Sequence, residues 1–238
     1  MKRQQGFSLV ELIVVIVLIG AIGGIFAMQL GPTIRGYISV GKRAGLTDQA
    51  DTALRRIVTE VRAAVPNSLR LGDAQCLELV PTIGGGRYRT GPDISSTDDA
   101  FLDYDTPANQ FDVLTTFRTL PAAGDLVVIG NQNPEDVYNG TNLRVIDRVD
   151  APPAAALGAH RVVLTAPIQI PAGYEGGRFV VVPGAQQVVS YVCENPGRDT
   201  NGMGTGTLRR IVRARDPTQA CDVPAPIPFA SRPGFSQT

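Results

Sequence analysis

The chain has no tryptophan, one histidine (His160) and three cysteines, and aromatic residues make up only 6% of its 238 positions. A single imidazole excludes catalytic or metal centres that need two. G-x-S-x-G, H-E-x-x-H and paired C-x-x-C are also absent, so the common nucleophile and zinc signatures are missing. His160 stands before the apolar run "RVVLT" with no serine or cysteine motif beside it, and reads as structural. Lys+Arg and Asp+Glu are both 22, so the basic excess expected of a nucleic-acid binder is missing too. The Gly-rich stretches "GGGR" (84–87) and "GMGTGT" (202–207) lack a phosphate-binding spacing and read as flexible loops. No enzymatic activity is expected from this inventory, and no cofactor.

What the sequence does have begins near its N-terminus. From Leu12 to Ile34 no side chain is charged, and these 23 residues can cross a ~30 Å hydrocarbon layer as a helix. Lys2 and Arg3 are the only charges before Glu11. Positive flanking charge stays on the cytoplasmic side, which predicts an inside N-terminus and an outside C-terminal domain. A small-residue cut site after the apolar core, as in a secretory signal peptide, is not evident, so the segment is expected to be retained. Glu11 is the anomaly. An ionised side chain at the centre of a membrane helix costs about 2.5–3.5 kcal/mol on insertion scales, and usually marks a partner.

The run "GFSLVEL" followed by an apolar stretch resembles the processing signal of type IV prepilins and type II secretion pseudopilins. The resemblance implies cleavage by a prepilin peptidase between Gly6 and Phe7, with methylation of the new amine of Phe7. Ser8 stands where threonine is more usual. Glu11 matches the acidic residue of the family and is implied to pair with the Phe7 amine of a neighbouring subunit, setting register during assembly. A Glu11 that snorkels to water is the plain alternative. Removal of residues 1–6 takes away Lys2 and Arg3 and leaves 20 basic against 22 acidic side chains. The implied partners are the peptidase, other pilins or pseudopilins of a filament and an inner-membrane assembly platform.

Beyond the apolar run, Leu46, Ala50, Ala53, Leu54, Ile57, Val58, Val61, Ala64 and Val65 share one helical face, and Pro66 ends the pattern. Asp51 and Arg55 have the favourable i,i+4 order. Gly31, Pro32, Gly36, Gly41 and Gly45 crowd the join, and Pro32 is expected to kink or locally melt the helix. Gly20 and Gly24 form a small-xxx-small pair that allows close helix approach. The expected organisation is a leader (1–6), a membrane helix (7–34), an amphipathic helix (35–65) and a β-rich periplasmic domain with a Pro-rich tail (66–238). The resemblance implies a pilin-like α+β fold, with the helix packed on an antiparallel sheet.

After Pro66 the helical period gives way to short apolar runs between turn residues. Strands are expected at "CLELV" (76–80), "FDVLTTF" (111–117), "DLVVI" (125–129), "LRVIDRV" (143–149), "RVVLT" (161–165), "RFVVV" (178–182), "QVVSYVC" (187–193) and "LRRIVRA" (208–214). The last two read as a hairpin with a long loop. "RRIVTEVRAAVPNSLRL" leading to "CLELVPT", with the late "VSYVCE" and "TLRR", is similar to large minor pseudopilins of mannose-sensitive haemagglutinin pilus biogenesis. The J-type pseudopilins of type II secretion have a related layout, and a non-polymerising, membrane-anchored binding domain is the alternative from another class. Relatives of this kind often continue into further strands where this chain has "CDVPAPIPFASRPGFSQT", so a truncated or short C-terminus is expected.

Three cysteines on the expected periplasmic side allow one disulfide. Cys193 and Cys221 would close the last hairpin and its tail, leaving Cys76 buried and inert or short of a partner. Asp93, Asp98, Asp99, Asp103 and Asp105, and the loop "NPGRDTNG" (195–202), have oxygen chemistry suited to Ca²⁺, but read first as solvated loops.

Overall fold

The computed structural model describes residues 8–174, 176–219 and 221. The fold is α+β: a long N-terminal apolar helix followed by an antiparallel β domain, as in a pilin-like fold. The chain divides into two units, one ending at Val58 and one beginning at Thr59.

The first unit is almost entirely helix. α1 (Leu9–Arg62) has 54 residues, about 81 Å at 1.5 Å per residue, and its last turn belongs to the second unit. The Ser8 carbonyl accepts from the amides of Glu11 (3.1 Å) and Leu12 (3.2 Å), which starts the helix at a residue type favoured as an N-cap. Asp51 and Arg55 form the expected ion pair at 2.7 Å. The helical hydrogen-bond pattern continues through 31–36, so the expected local melting at Pro32 does not occur. A proline removes one donor and crowds one preceding carbonyl, and the helical hydrogen bonds of α1 on both sides carry that defect.

Beside the last turn of α1, the second unit contains ten strands, one short α-helix and one 3-10 turn (Ala155–Leu157) among the described residues. β1 (Arg70–Asp73), β2 (Cys76–Leu79), β9 (Val188–Glu194) and β10 (Thr207–Arg213) form a four-stranded antiparallel sheet in that order. Between β2 and β9 the chain inserts six more strands: β3 (Gly84–Arg87), β4 (Ala108–Val113), β5 (Leu126–Ile129), β6 (Leu143–Asp150), β7 (His160–Ile168) and β8 (Arg178–Val182). Their order is β3-β8-β5-β6-β7-β4, all antiparallel. The two ends meet. Tyr88 bridges Val113, the Leu114 amide donates to the Arg87 carbonyl (2.8 Å), and the Arg89 amide donates to the Asp112 carbonyl (3.0 Å). The six strands therefore close into a small barrel, which removes the exposed edges an open sheet would leave.

Strand alternation fills this barrel. Val127, Ile129, Phe179 and Val181 point inward with Tyr88, Phe111, Ile146 and Leu164, and all are buried. Their neighbours Leu126, Val128 and Val182 point outward into a second core with Val65, Val137 and Tyr138. These two cores make β5 and β8 continuous apolar runs, as expected of strands covered on both faces. α2 (Pro134–Asn139) supplies Val137 and Tyr138. It starts with Pro134 in the first turn and the Asp136 carboxylate accepting from the Asn133 amide, and stops at Gly140 in the left-handed conformation (φ 77°).

All eight expected strands are present, with the one expected at 111–117 beginning three residues earlier and stopping at Val113. "GGGR" is a correction: it is strand β3. A Cβ at Gly85 would collide with the Phe179 carbonyl oxygen, and one at Gly86 with the Thr115 hydroxyl. Bare backbone lets β3 approach β8 and the following segment so closely, and a glycine run conceals that role in the sequence.

The cysteines are a second correction. Cys76 is bonded to Cys221, with Cα atoms 5.8 Å apart, whereas Cys193 is a free, exposed thiol. The cause is strand alternation. Cys76 lies opposite Val192 in the β2–β9 ladder, so Cys193, one residue on, projects from the other face. After β10 the chain returns to β1 and β2, where Arg70 donates to the carbonyls of Asp216 (2.9 Å) and Pro217 (2.7 Å), and so reaches Cys76.

Candidate functional site

The N-terminal segment is the first candidate. Leu12, Ile16, Ile19, Phe26 and Leu30 are all more than half exposed, and α1 is the one described helix long and apolar enough to cross a membrane. An uncharged, all-round apolar run such as 12–34 is costly in water, where each such side chain forgoes about 1.5–3 kcal/mol of burial. Glu11 sits in its first turn, where the positive end of the helix dipole favours a carboxylate. Gly6 and Phe7, the expected cut site and methylation site, lie outside the described residues, as does the tail 222–238.

The second unit offers ionic groups placed for structure. Asp112 is fully buried and takes a two-point contact from Arg161, at 2.7 Å from Nε and 3.0 Å from a terminal nitrogen. It also accepts from the Ala100 amide at 2.9 Å. The charge-assisted bond to Asp112 raises the Arg161 pKa further above its ordinary value. On the four-stranded sheet, Arg70 bonds Glu78 (2.8 Å) and lies 3.5 Å over the Tyr138 ring, whose hydroxyl donates to the Ser68 carbonyl at 2.8 Å. Burial pushes the Tyr138 phenol well above its ordinary range, and raises Tyr88 to about 12. Arg210 of β10 reaches Glu60 in the last turn of α1 at 3.0 Å. These contacts join elements distant in sequence, and neither composition nor periodicity announces them.

His160 opens β7 with its ring 4.9 Å from that of Phe117, and its Nε2 accepts from the Phe117 amide at 3.5 Å. The acidic loop uses its carboxylates on its own turns. Asp93 accepts from the hydroxyl and amide of Ser95, bonds that hold its pKa below the usual value, and pairs with Arg89 at 3.2 Å. Asp99 accepts from the Asp93 amide, and Asp103 from the amides of Asp105 and Thr106. In the other loop Asp199 accepts from Asn201 and Met203. Among the described residues no group of three His, Cys, Asp or Glu side chains is placed to hold a metal ion.

Residues 1–27 match the family model of the prokaryotic N-terminal methylation motif. This is the signature of type IV pilins and pseudopilins, and with the apolar helix it supports a membrane-anchored, pilin-like structural subunit. The motif implies processing by a prepilin peptidase and assembly with other pilins. No curated protein and no solved structure matches the chain significantly.

Proposed function

We propose that the chain is a minor pseudopilin that joins or primes a type IV pilus of the mannose-sensitive haemagglutinin type, similar to pseudopilin O of that machinery. The observation that carries this reading is the methylation motif at residues 1–27, in register with Glu11 and the uncharged run from Leu12 to Ile34. The patches around 55–82 and 189–210 are what point to the pilus machinery, and a J-type subunit of type II secretion, whose layout is related, is the alternative that neighbouring genes would separate.

In this reading the peptidase cuts between Gly6 and Phe7 on the cytoplasmic face, and the amine of Phe7 is methylated. The chain is held in the inner membrane by residues 7–34, with the β domain in the periplasm. On assembly, Glu11 of one subunit pairs with the Phe7 amine of its neighbour. That pairing removes the cost of a carboxylate in hydrocarbon and sets the axial step. The barrel inserted between β2 and β9 enlarges the subunit, which favours a place near the filament tip. The test is Glu11→Ala in cells producing the filament. Insertion and cleavage are expected to persist while incorporation into sheared filaments falls at least tenfold. Undiminished incorporation would remove the assembly role of Glu11, and absence of the unaltered chain from sheared filaments would leave a membrane anchor.

A further inference from the structure

The barrel carries a cavity that the filament reading does not use. Its volume is about 580 Å³, and Gly85, Arg87, Val128, Tyr174, Arg178 and Val180 are among its walls. Strand register explains the arrangement. Gly85 lies opposite Val180 and Arg87 opposite Arg178 in the β3–β8 ladder, while Val128 lies opposite Val180 in β5–β8. These five residues therefore share the outward face of three adjacent strands. The result is a floor of half-buried Val180 and bare Gly85 backbone over the buried Val128, with Tyr174 at its side and two guanidinium groups along one edge. A Cβ on residue 85 has no room, so the floor stays flat.

Two like charges directly opposite on neighbouring strands destabilise a sheet. Both arginines are exposed, and among the described residues neither side chain has a recorded carboxylate partner. An occupant that suits this cavity brings one carboxylate to bridge the two guanidinium groups, and a flat apolar face to lie on Val180 and the Gly85 backbone. A pyranose with a ring carboxylate presents both in one rigid unit, its charged group at the edge and its axial C–H bonds on the face. We infer that this cavity binds an acidic saccharide. The inference goes beyond the filament reading and does not depend on it.

The test uses the full chain in detergent micelles near 0.15 M salt, where long-range surface attraction is largely screened. Trigalacturonate is compared with neutral trigalactose and with a short peptide in free-carboxylate and amidated forms. Trigalacturonate is expected to bind, and the neutral sugar and both peptides not. Arg87→Ala and Arg178→Ala should each weaken binding about tenfold, the loss of one charge-assisted contact. Arg148→Ala, at an exposed cation paired with Asp147 and Asp150 elsewhere on the barrel, should leave binding unchanged. Circular dichroism of the variants checks that the fold is kept. Absence of trigalacturonate binding, equal binding of the neutral sugar, preference for the free-carboxylate peptide, or equal weakening by Arg148→Ala would each overturn the proposal.

Discussion

Asp112 shows how a buried charge is tolerated in the barrel. It lies at the seam where β4 meets the end of β3, and both of its oxygens are bonded, by Arg161 and by the Ala100 amide. Removing one partner of such a pair leaves the other charge without compensation, which typically costs 3–5 kcal/mol. Asp112→Ala is therefore expected to lower the thermal midpoint of the β domain by roughly 10 °C, given about 2–4 °C per kcal/mol for a domain of this size. Asp147→Ala, at a pair exposed on both sides, should cost less than about 1 kcal/mol and shift the midpoint little. Equal midpoints for the two variants, measured by near-UV circular dichroism, would contradict the role given to Asp112. Glu11 is the opposite case: the helix dipole favours its charge in the first turn of α1, and the assembly role proposed for it rests on a second subunit.

Among the elements, the strands were the most legible part of the sequence, because runs such as "DLVVI" and "RFVVV" are β-branched and bounded by turn residues. β3 was not legible: its evidence is steric, and glycine signals a loop unless the neighbouring strand is known. β1 and α2 are too short to show a period. Local melting at Pro32 does not occur, because a local propensity is overridden by the long helix that carries it. The cysteine pairing failed for another reason. Separation along the chain favoured Cys193–Cys221, but which face a cysteine occupies follows from register, and register was not available. Peptide mapping of the unreduced chain checks the revised pairing. A linked Cys76–Cys221 peptide and an alkylated Cys193 are expected, whereas a Cys193–Cys221 peptide would contradict it. Closing so long a loop is worth about 2–5 kcal/mol, so Cys76→Ser should destabilise the domain where Cys193→Ser does not.

For the whole molecule, the sequence divides its information unevenly. The first 27 residues match a motif that names a processing pathway, while the remaining chain is legible as an α+β fold and no further. The four-stranded sheet is interrupted by a closed six-stranded barrel, and closure could not be read from the sequence because it depends on a single bridge, Tyr88 to Val113, between segments each too short to announce their pairing. The barrel makes this a large subunit with its own cavity, which fits a role in contacts rather than in repetitive packing. The filament reading rests on the chain being a processed prepilin. Intact mass and N-terminal analysis of membrane-extracted protein, made with and without prepilin peptidase, tests that claim directly. The account predicts a mature chain beginning at N-methylated Phe7, lacking residues 1–6, only when the peptidase is present. A chain beginning at Met1 under both conditions would contradict it.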